Sequence, residues 1–104
     1  MAKNKYTIRY LPSFSDELNE IIYYITFILK NKIAAQKLVK NIHKAIQKRS
    51  ENPESYAIYK SKEDTKYNWY RIYVENFTIF YTVRNNIIEI THLIYSARDF
   101  DKLI

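Results

Sequence analysis

The sequence predicts an α+β fold in which an N-terminal strand and an antiparallel two-helix hairpin precede a three- to four-stranded antiparallel sheet packed on the helices. Three observations support it. Residues 6–10 alternate in polarity, residues 14–46 carry apolar side chains at helical spacing, and residues 67–100 read as three short strands joined by two tight turns. Because 104 residues suffice for one core but not for two, we expect a single domain over residues 1–104.

The first half of the chain supplies one strand and two helices. Leu11-Pro12 ends the strand, since proline removes a backbone donor and restricts the residue before it. Two apolar stripes follow, joined by a short link at residues 30–32, and helices joined this closely form an antiparallel hairpin that can cover a sheet. The stripes are Phe14, Leu18, Ile21, Ile22, Ile25 and Leu29 in the first helix, and Ala35, Leu38, Val39, Ile42, Ala45 and Ile46 in the second.

The second half predicts two hairpins with turns at residues 75–76 and 85–86. Because side chains alternate across a sheet, these turns sort the residues onto two faces. The predicted core face carries Tyr70, Ile72, Val74, Phe77, Ile79, Tyr81, Val83, Ile88, Ile90 and Ile94. The other face, interpreted as a working surface, carries Trp69, Arg71, Tyr73, Thr78, Phe80, Thr82, Arg84, Glu89, Thr91 and Tyr95.

Composition excludes several classes of protein. The chain has no glycine, so the glycine-rich phosphate loops of kinases, GTPases and Rossmann dehydrogenases cannot be built. It has no cysteine, which excludes disulfides and thiolate metal sites and favours a reducing cytoplasm. The two histidines, His43 and His92, fall in different predicted elements without a carboxylate cluster, so we expect no metal or other cofactor. No apolar run is long enough to cross a membrane.

The net charge of +6 is concentrated in one segment. Residues 30–49 contain seven lysines and arginines and no acidic residue. Such a segment is compatible with a polyanion or with an acidic protein partner.

The order of the elements and four sequence segments resemble the RelE/ParE superfamily of toxins from type II toxin–antitoxin systems. The segments are YTIRYLPSFSDELNEIIYYI, the helix end near ENP, WYRIYVENFTIFYTV and IIEITHLIYSARDF. They include an arginine that opens a hairpin (Arg71), the strand Ile79-Phe80-Tyr81, and a late Arg98-Asp99 turn. The resemblance spans nearly the whole chain.

The resemblance implies a small cytoplasmic growth inhibitor of the plasmid-stabilisation type, silenced by a cognate antitoxin and bound to operator DNA only through that antitoxin. RelE-like and YoeB-like members cleave mRNA in the ribosomal A site, whereas ParE-like members inhibit DNA gyrase. Ribosome-dependent, metal-free mRNA cleavage is the leading hypothesis here. Gyrase inhibition without catalysis is the alternative, and a toxin-fold subunit that only binds its antitoxin is a third.

The leading hypothesis assigns four candidate catalytic residues. RNA cleavage without a metal needs stabilisation of the phosphate charge and transfer of protons. Arg71 and Arg98 would bind the phosphate, since the guanidinium matches its geometry and stays charged. Tyr95, predicted to point away from the core, or His92 would transfer protons. The predicted register places His92 on the core face unless a β-bulge reverses it.

The candidates also have structural interpretations, and without a bulge His92 is expected to be a hydrogen-bonded, half-buried histidine. Arg71 could make an ion pair or a cation–π contact with Phe80 or Trp69, and Arg98 could pair with a nearby carboxylate. Lysines are the candidate RNA-binding residues, or else solvated surface residues: Lys37, Lys40 and Lys44 on the second helix, and Lys60 and Lys62 in the following loop. We expect the antitoxin to cover the helical hairpin and the open sheet face, burying Phe80 and Trp69, with an acidic segment near the second helix.

Overall fold

A computed structural model describes residues 6–60 and 66–97 and has the predicted α+β order. The helices and strands, in chain order, are β1 Thr7–Tyr10, α1 Pro12–Tyr23, a π-helical segment Tyr24–Ile28, α2 Lys32–Arg49, β2 Tyr70–Val74, β3 Phe77–Arg84 and β4 Ile87–Tyr95. None of the helices in the described part is long and apolar enough to span a bilayer.

The four strands form one sheet in the order β1-β4-β3-β2. Strands β2, β3 and β4 are antiparallel neighbours, as predicted, but β1 runs parallel to β4, with Thr7 opposite Ile87. The complete sheet is therefore mixed and not strictly antiparallel. A parallel pair needs a long crossover connection, and the helical hairpin together with β2 and β3 supplies one.

Both predicted hairpin turns are present. Val74 pairs with Phe77 across the first turn, and Arg84 pairs with Ile87 across the second. Asn85 and Asn86 both have positive φ, 51° and 65°, which is the pattern of a type I′ turn. Asparagine tolerates this conformation better than most residues, and the chain has no glycine to place there.

The main core lies between the helices and one face of the sheet. Its helical members lie three or four residues apart, so they project from one side of each helix. The buried members are Phe14, Leu38, Ile42, Ile46, Tyr70, Ile72, Val74, Phe77, Ile79, Tyr81, Ile88, Ile90 and Leu93. Most of the residues predicted for the core face are among them, and Leu93 takes the place predicted for Ile94.

A β-bulge in β4 explains that exchange. Tyr81 lies opposite Ile90, whereas Phe80 lies opposite His92, so Thr91 has no partner on β3. One extra residue reverses the face of every side chain that follows it. Leu93 therefore enters the main core, and Ile94 lies on the other face of the sheet. The predicted assignment of Ile94 to the core face was wrong for this reason.

The π-helical segment changes the end of the first helix. The Leu29 N–H donates a hydrogen bond to the Tyr24 carbonyl at 2.9 Å, which spans five residues instead of four. The wider turn rotates the following side chains away from the α-helical phase. Leu29, predicted to be buried, is 55% exposed as a result. Val39 on α2, which was also predicted to be buried, is exposed as well.

Candidate functional site

The second face of the sheet is largely covered. Trp69, Phe80 and Ile94 are each at most 5% exposed and form a small cluster against which Tyr59 packs. Thr78 and Thr82 are buried as well. The interpretation of this whole face as an open working surface was therefore wrong. Its exposed or partly exposed positions include Arg71 and Tyr73 on the edge strand β2 and Arg84 at the end of β3.

Arg71 lies at this accessible edge, directly opposite Phe80, as predicted. Its guanidinium carbon is 4.7 Å from the centre of the Tyr59 ring and 5.7 Å from that of Tyr73. Arg71 therefore makes a cation–π contact as predicted, but with Tyr59 and Tyr73 instead of Phe80 or Trp69. Among the described residues no carboxylate forms an ion pair with Arg71. The group is a half-buried cation between two tyrosine rings, a setting that suits an anion or a stacked base.

His92 lies on the second face because of the bulge, so its predicted place on the core face was wrong. Its side chain is 12% exposed, and Nδ1 is 3.1 Å from Oε2 of Glu17 on α1. Glu17 also accepts a hydrogen bond from the Leu93 N–H at 2.9 Å. Phe80 lies between His92 and Arg71 in the row that crosses the three strands. The imidazole is therefore held against α1, on the far side of Phe80 from the guanidinium.

Tyr95 lies on the core side of the sheet, because the bulge reverses its face as well. It pairs with Phe77, and the two rings stack with their centres 4.7 Å apart. The predicted outward direction on the face of Arg71 was wrong. About half of the Tyr95 side chain is exposed, beside a shallow cavity of about 400 Å³ at the first hairpin turn.

The remaining candidates are basic residues. Arg98 and Lys62 lie outside the residues that the structure describes. Lys60 is exposed beside the second face, and Lys37, Lys40 and Lys44 are exposed on α2. Neither of the two residues predicted to transfer protons, His92 and Tyr95, lies next to Arg71, whose aromatic neighbours are Tyr59 and Tyr73.

Arg49, at the end of α2, is an important residue that the sequence did not indicate. Its Nη1 donates hydrogen bonds to the Arg71 carbonyl at 3.0 Å and to the Tyr81 hydroxyl at 2.9 Å. The guanidinium carbon also lies 3.5 Å from the centre of the Tyr56 ring. Arg49 thus attaches α2 to the β2 edge that presents Arg71. Basic residues are frequent in this helix, so the sequence does not distinguish Arg49 from the others. The one available signal was the predicted inward direction of Tyr81, whose hydroxyl needs a buried hydrogen-bond partner.

Tyr81 completes this attachment. Its hydroxyl donates to the Pro53 carbonyl at 2.7 Å, which holds the segment after α2. Burial raises the pKa of Tyr81 to about 12, although hydrogen bonding and charge from Arg49 act in the opposite direction.

Six exposed large hydrophobic residues lie at the tip of the helical hairpin. We call apolar tip the residues Tyr23, Tyr24, Phe27, Ile28, Leu29 and Ile33, which are between 46% and 78% exposed. Beside it, a groove of about 350 Å³ runs between the two helices and is lined by Ile22, Thr26, Lys32, Ala35, Gln36 and Val39. Clustered apolar side chains at a surface are typical of protein-binding sites.

This fold is that of a known solved structure, and the sequence places the chain in a family. The structure, described as "Chromosomal ParDE TA system from P. aeruginosa", superposes with a TM-score of 0.68 at 15% identity, over 89% of this chain and 98% of the other. The model of the family described as "ParE toxin of type II toxin-antitoxin system, parDE" matches residues 8–100. The chain therefore belongs to the ParE toxin family. No curated protein sequence matches it.

Family membership confirms the predicted resemblance at the level of a toxin of a type II toxin–antitoxin system. It also supports the predicted antitoxin partner.

Proposed function

We propose that this chain arrests growth as a non-catalytic inhibitor of DNA gyrase and that its antitoxin neutralises it. One observation carries the choice over mRNA cleavage, namely the separation of Arg71 from His92 and Tyr95. Membership in the ParE toxin family supports the same choice, because gyrase is the target expected for the ParE-like members of the superfamily.

The separation matters because RNA cleavage without a metal needs a proton donor or acceptor within hydrogen-bond reach of the reacting group. His92 is separated from Arg71 by the buried Phe80 and is held by Glu17. Tyr95 lies on the opposite face of the sheet. An inhibitor that binds a protein target needs no such convergence, only an accessible surface.

The apolar tip and the adjoining groove are the surface that we assign to the antitoxin. Phe80 and Trp69, the residues first expected under the antitoxin, are already buried within the chain. The exposed Phe27 and Ile33 have no such cover. An amphipathic helix of the antitoxin could bury them and occupy the groove between α1 and α2.

The test of the proposed function is a supercoiling assay with purified gyrase, relaxed plasmid and ATP. We expect the wild-type chain to inhibit supercoiling and added antitoxin to restore it. Arg71→Ala should inhibit as well as wild type, because the proposal gives its guanidinium no role. Full supercoiling at a saturating concentration of well-folded chain would contradict the proposal.

Ribosome-dependent mRNA cleavage is the second candidate, favoured by the setting of Arg71. A guanidinium between two tyrosine rings, without an ion pair in the described residues, suits a phosphate flanked by stacked bases. Primer extension on transcripts shortly after induction tests this candidate. If the chain cleaves mRNA on the ribosome, cuts should appear inside translated regions. They should disappear with Arg71→Ala and when translation is blocked. Normal growth with intact transcripts and active gyrase would instead favour a subunit that only binds its antitoxin.

A further inference from the structure

The entire net charge of the chain resides on one helix. Helix α2 holds six of the 17 basic residues and none of the 11 acidic ones, so the rest of the chain is balanced with eleven of each. The helix therefore carries the same net charge, +6, as the whole protein. A charge confined in this way creates a local positive field and not a diffuse one.

Four of these residues form a row that we call the lysine stripe: Lys37, Lys40, Lys44 and Lys48. Their spacing of three, four and four residues places them on one side of α2, opposite the buried Leu38, Ile42 and Ile46, and all four are exposed. The ion pairs of the described residues involve other groups, namely Arg9 with Glu89, Arg84 with Glu89, and His92 with Glu17. No lysine of the stripe is in these ion pairs. The carboxylate next to the stripe, that of Glu75, accepts a hydrogen bond from Asn41 at 3.0 Å.

We propose that the lysine stripe binds the sugar–phosphate backbone of duplex DNA. At a rise of about 1.5 Å per residue, the four lysines extend over roughly 16 Å of the helix axis. Phosphates of one DNA strand follow one another about every 3.4 Å along the duplex, so the stripe can reach several of them. Lysine is a flexible point charge that suits phosphates, whereas base recognition relies on bidentate groups.

The composition around the stripe favours a polyanion over an acidic protein. Besides the lysines, the exposed residues between Lys37 and Lys48 are the polar His43 and Gln47 and one apolar residue, Val39. The centre of a protein–protein interface is instead enriched in aromatic and apolar side chains. The apolar tip lies beyond the N-terminal end of the stripe and can bind the antitoxin separately.

The inference rests on the proposed function in one respect, because gyrase acts on duplex DNA and the stripe would hold the toxin beside that substrate. The binding itself is a property of the chain alone. It is expected to be independent of sequence and to weaken steeply with salt, because each neutralised phosphate releases counterions.

The test is fluorescence anisotropy of a labelled 20-base-pair DNA duplex with the purified chain, without gyrase or antitoxin, over a salt series. Four phosphate contacts give a slope of about −3.6 for log affinity against log salt, or a loss of roughly 150-fold between 50 and 200 mM salt. The double variant Lys40→Gln/Lys44→Gln should halve the slope, so that the same change in salt costs roughly 12-fold.

A matched control separates the stripe from total charge. Lys32→Gln/Lys60→Gln removes the same two charges from positions outside the stripe, and we expect it to keep nearly the wild-type slope. The circular dichroism signal of the helices should be unchanged in both variants, because the four replaced lysines are all exposed.

Three results would overturn the inference: no binding at 50 mM salt, equal effects of the two double variants, or RNA duplex bound at least tenfold more tightly than DNA. Polyglutamate competing as well as duplex DNA at equal charge would indicate an acidic protein partner instead. The supercoiling assay is read separately. Inhibition of gyrase by a wild-type chain that does not bind DNA would overturn the stripe alone. DNA binding by a wild-type chain that does not inhibit gyrase would overturn the proposed function.

Discussion

His92 on β4 lies directly opposite Phe80 on β3, although the next residue of β3, Tyr81, lies opposite Ile90. The extra residue, Thr91, follows Ile90, the last residue of β4 that pairs with β1. At Thr91 the edge of β4 faces the start of α1. Side chains of α1 satisfy the freed backbone groups there, since the Ser13 hydroxyl donates to the Thr91 carbonyl and Glu17 accepts from the Leu93 N–H. The bulge and the first helix are therefore one structural unit.

Replacing Glu17 tests this unit. Glu17→Ala leaves the backbone N–H of the buried Leu93 without its acceptor, so we expect a loss of about 1–3 kcal/mol in the free energy of unfolding. Glu17→Gln keeps an acceptor oxygen and should lose less. Urea denaturation followed by circular dichroism measures both.

Glu20→Ala is the matched control, because Glu20 is an exposed carboxylate on the same helix. Its effect should stay within about 0.5 kcal/mol. Equal destabilisation by Glu17→Ala and Glu20→Ala would show that charge, and not the contact with β4, determines the effect.

Replacing Phe80 tests whether the second face is a core. Phe80 is 3% exposed and packs with Trp69 and Ile94, so Phe80→Ala should lower the free energy of unfolding by about 3–5 kcal/mol. Tyr73→Ala removes an aromatic ring from the same face at a position that is 63% exposed, and we expect about 0.5 kcal/mol. Similar small losses for the two variants would restore the interpretation of this face as an open surface.

Most of the fold could be predicted because it follows from local patterns. The helical spacing from Phe14 to Ile46 and the turns at residues 75–76 and 85–86 are short-range signals, and each corresponds to an observed element. The parallel pairing of β1 with β4 and the bulge at Thr91 depend on contacts between distant parts of the chain, which periodicity does not contain.

The candidate site was predicted less well because it depended on that bulge. A single unpaired residue reversed the faces of His92, Ile94 and Tyr95, whereas Arg71, which lies on a strand without a bulge, kept its predicted face. The π-helical segment had a similar effect on Leu29. One inserted residue in a regular element is enough to move a functional assignment to the other side of the sheet.

Tyr81 predicts a specific dependence of stability on alkaline pH. Its pKa is raised to about 12 in the folded chain, against about 10 in the unfolded chain. The resulting stabilisation is fully present below pH 10 and is lost as the pH rises towards 12, on the order of 2 kcal/mol in total. Tyr81→Phe cannot ionise, so its stability should fall less between pH 10 and 12 than that of the wild type. Parallel pH-dependent loss in the two proteins, measured by urea denaturation, would contradict this account.

The apolar tip predicts a separation between stability and antitoxin binding. Phe27 and Ile33 are 61% and 78% exposed, so Phe27→Asp/Ile33→Asp should change the free energy of unfolding by less than about 1 kcal/mol. A buried aspartate without a partner is unfavourable, however, so the same variant should bind a purified antitoxin at least tenfold more weakly in calorimetry. Ile58→Asp introduces a charge at an exposed apolar position outside the tip, and it should leave affinity unchanged. If Ile58→Asp weakens the complex as much as the tip variant does, the antitoxin does not dock on the helical hairpin.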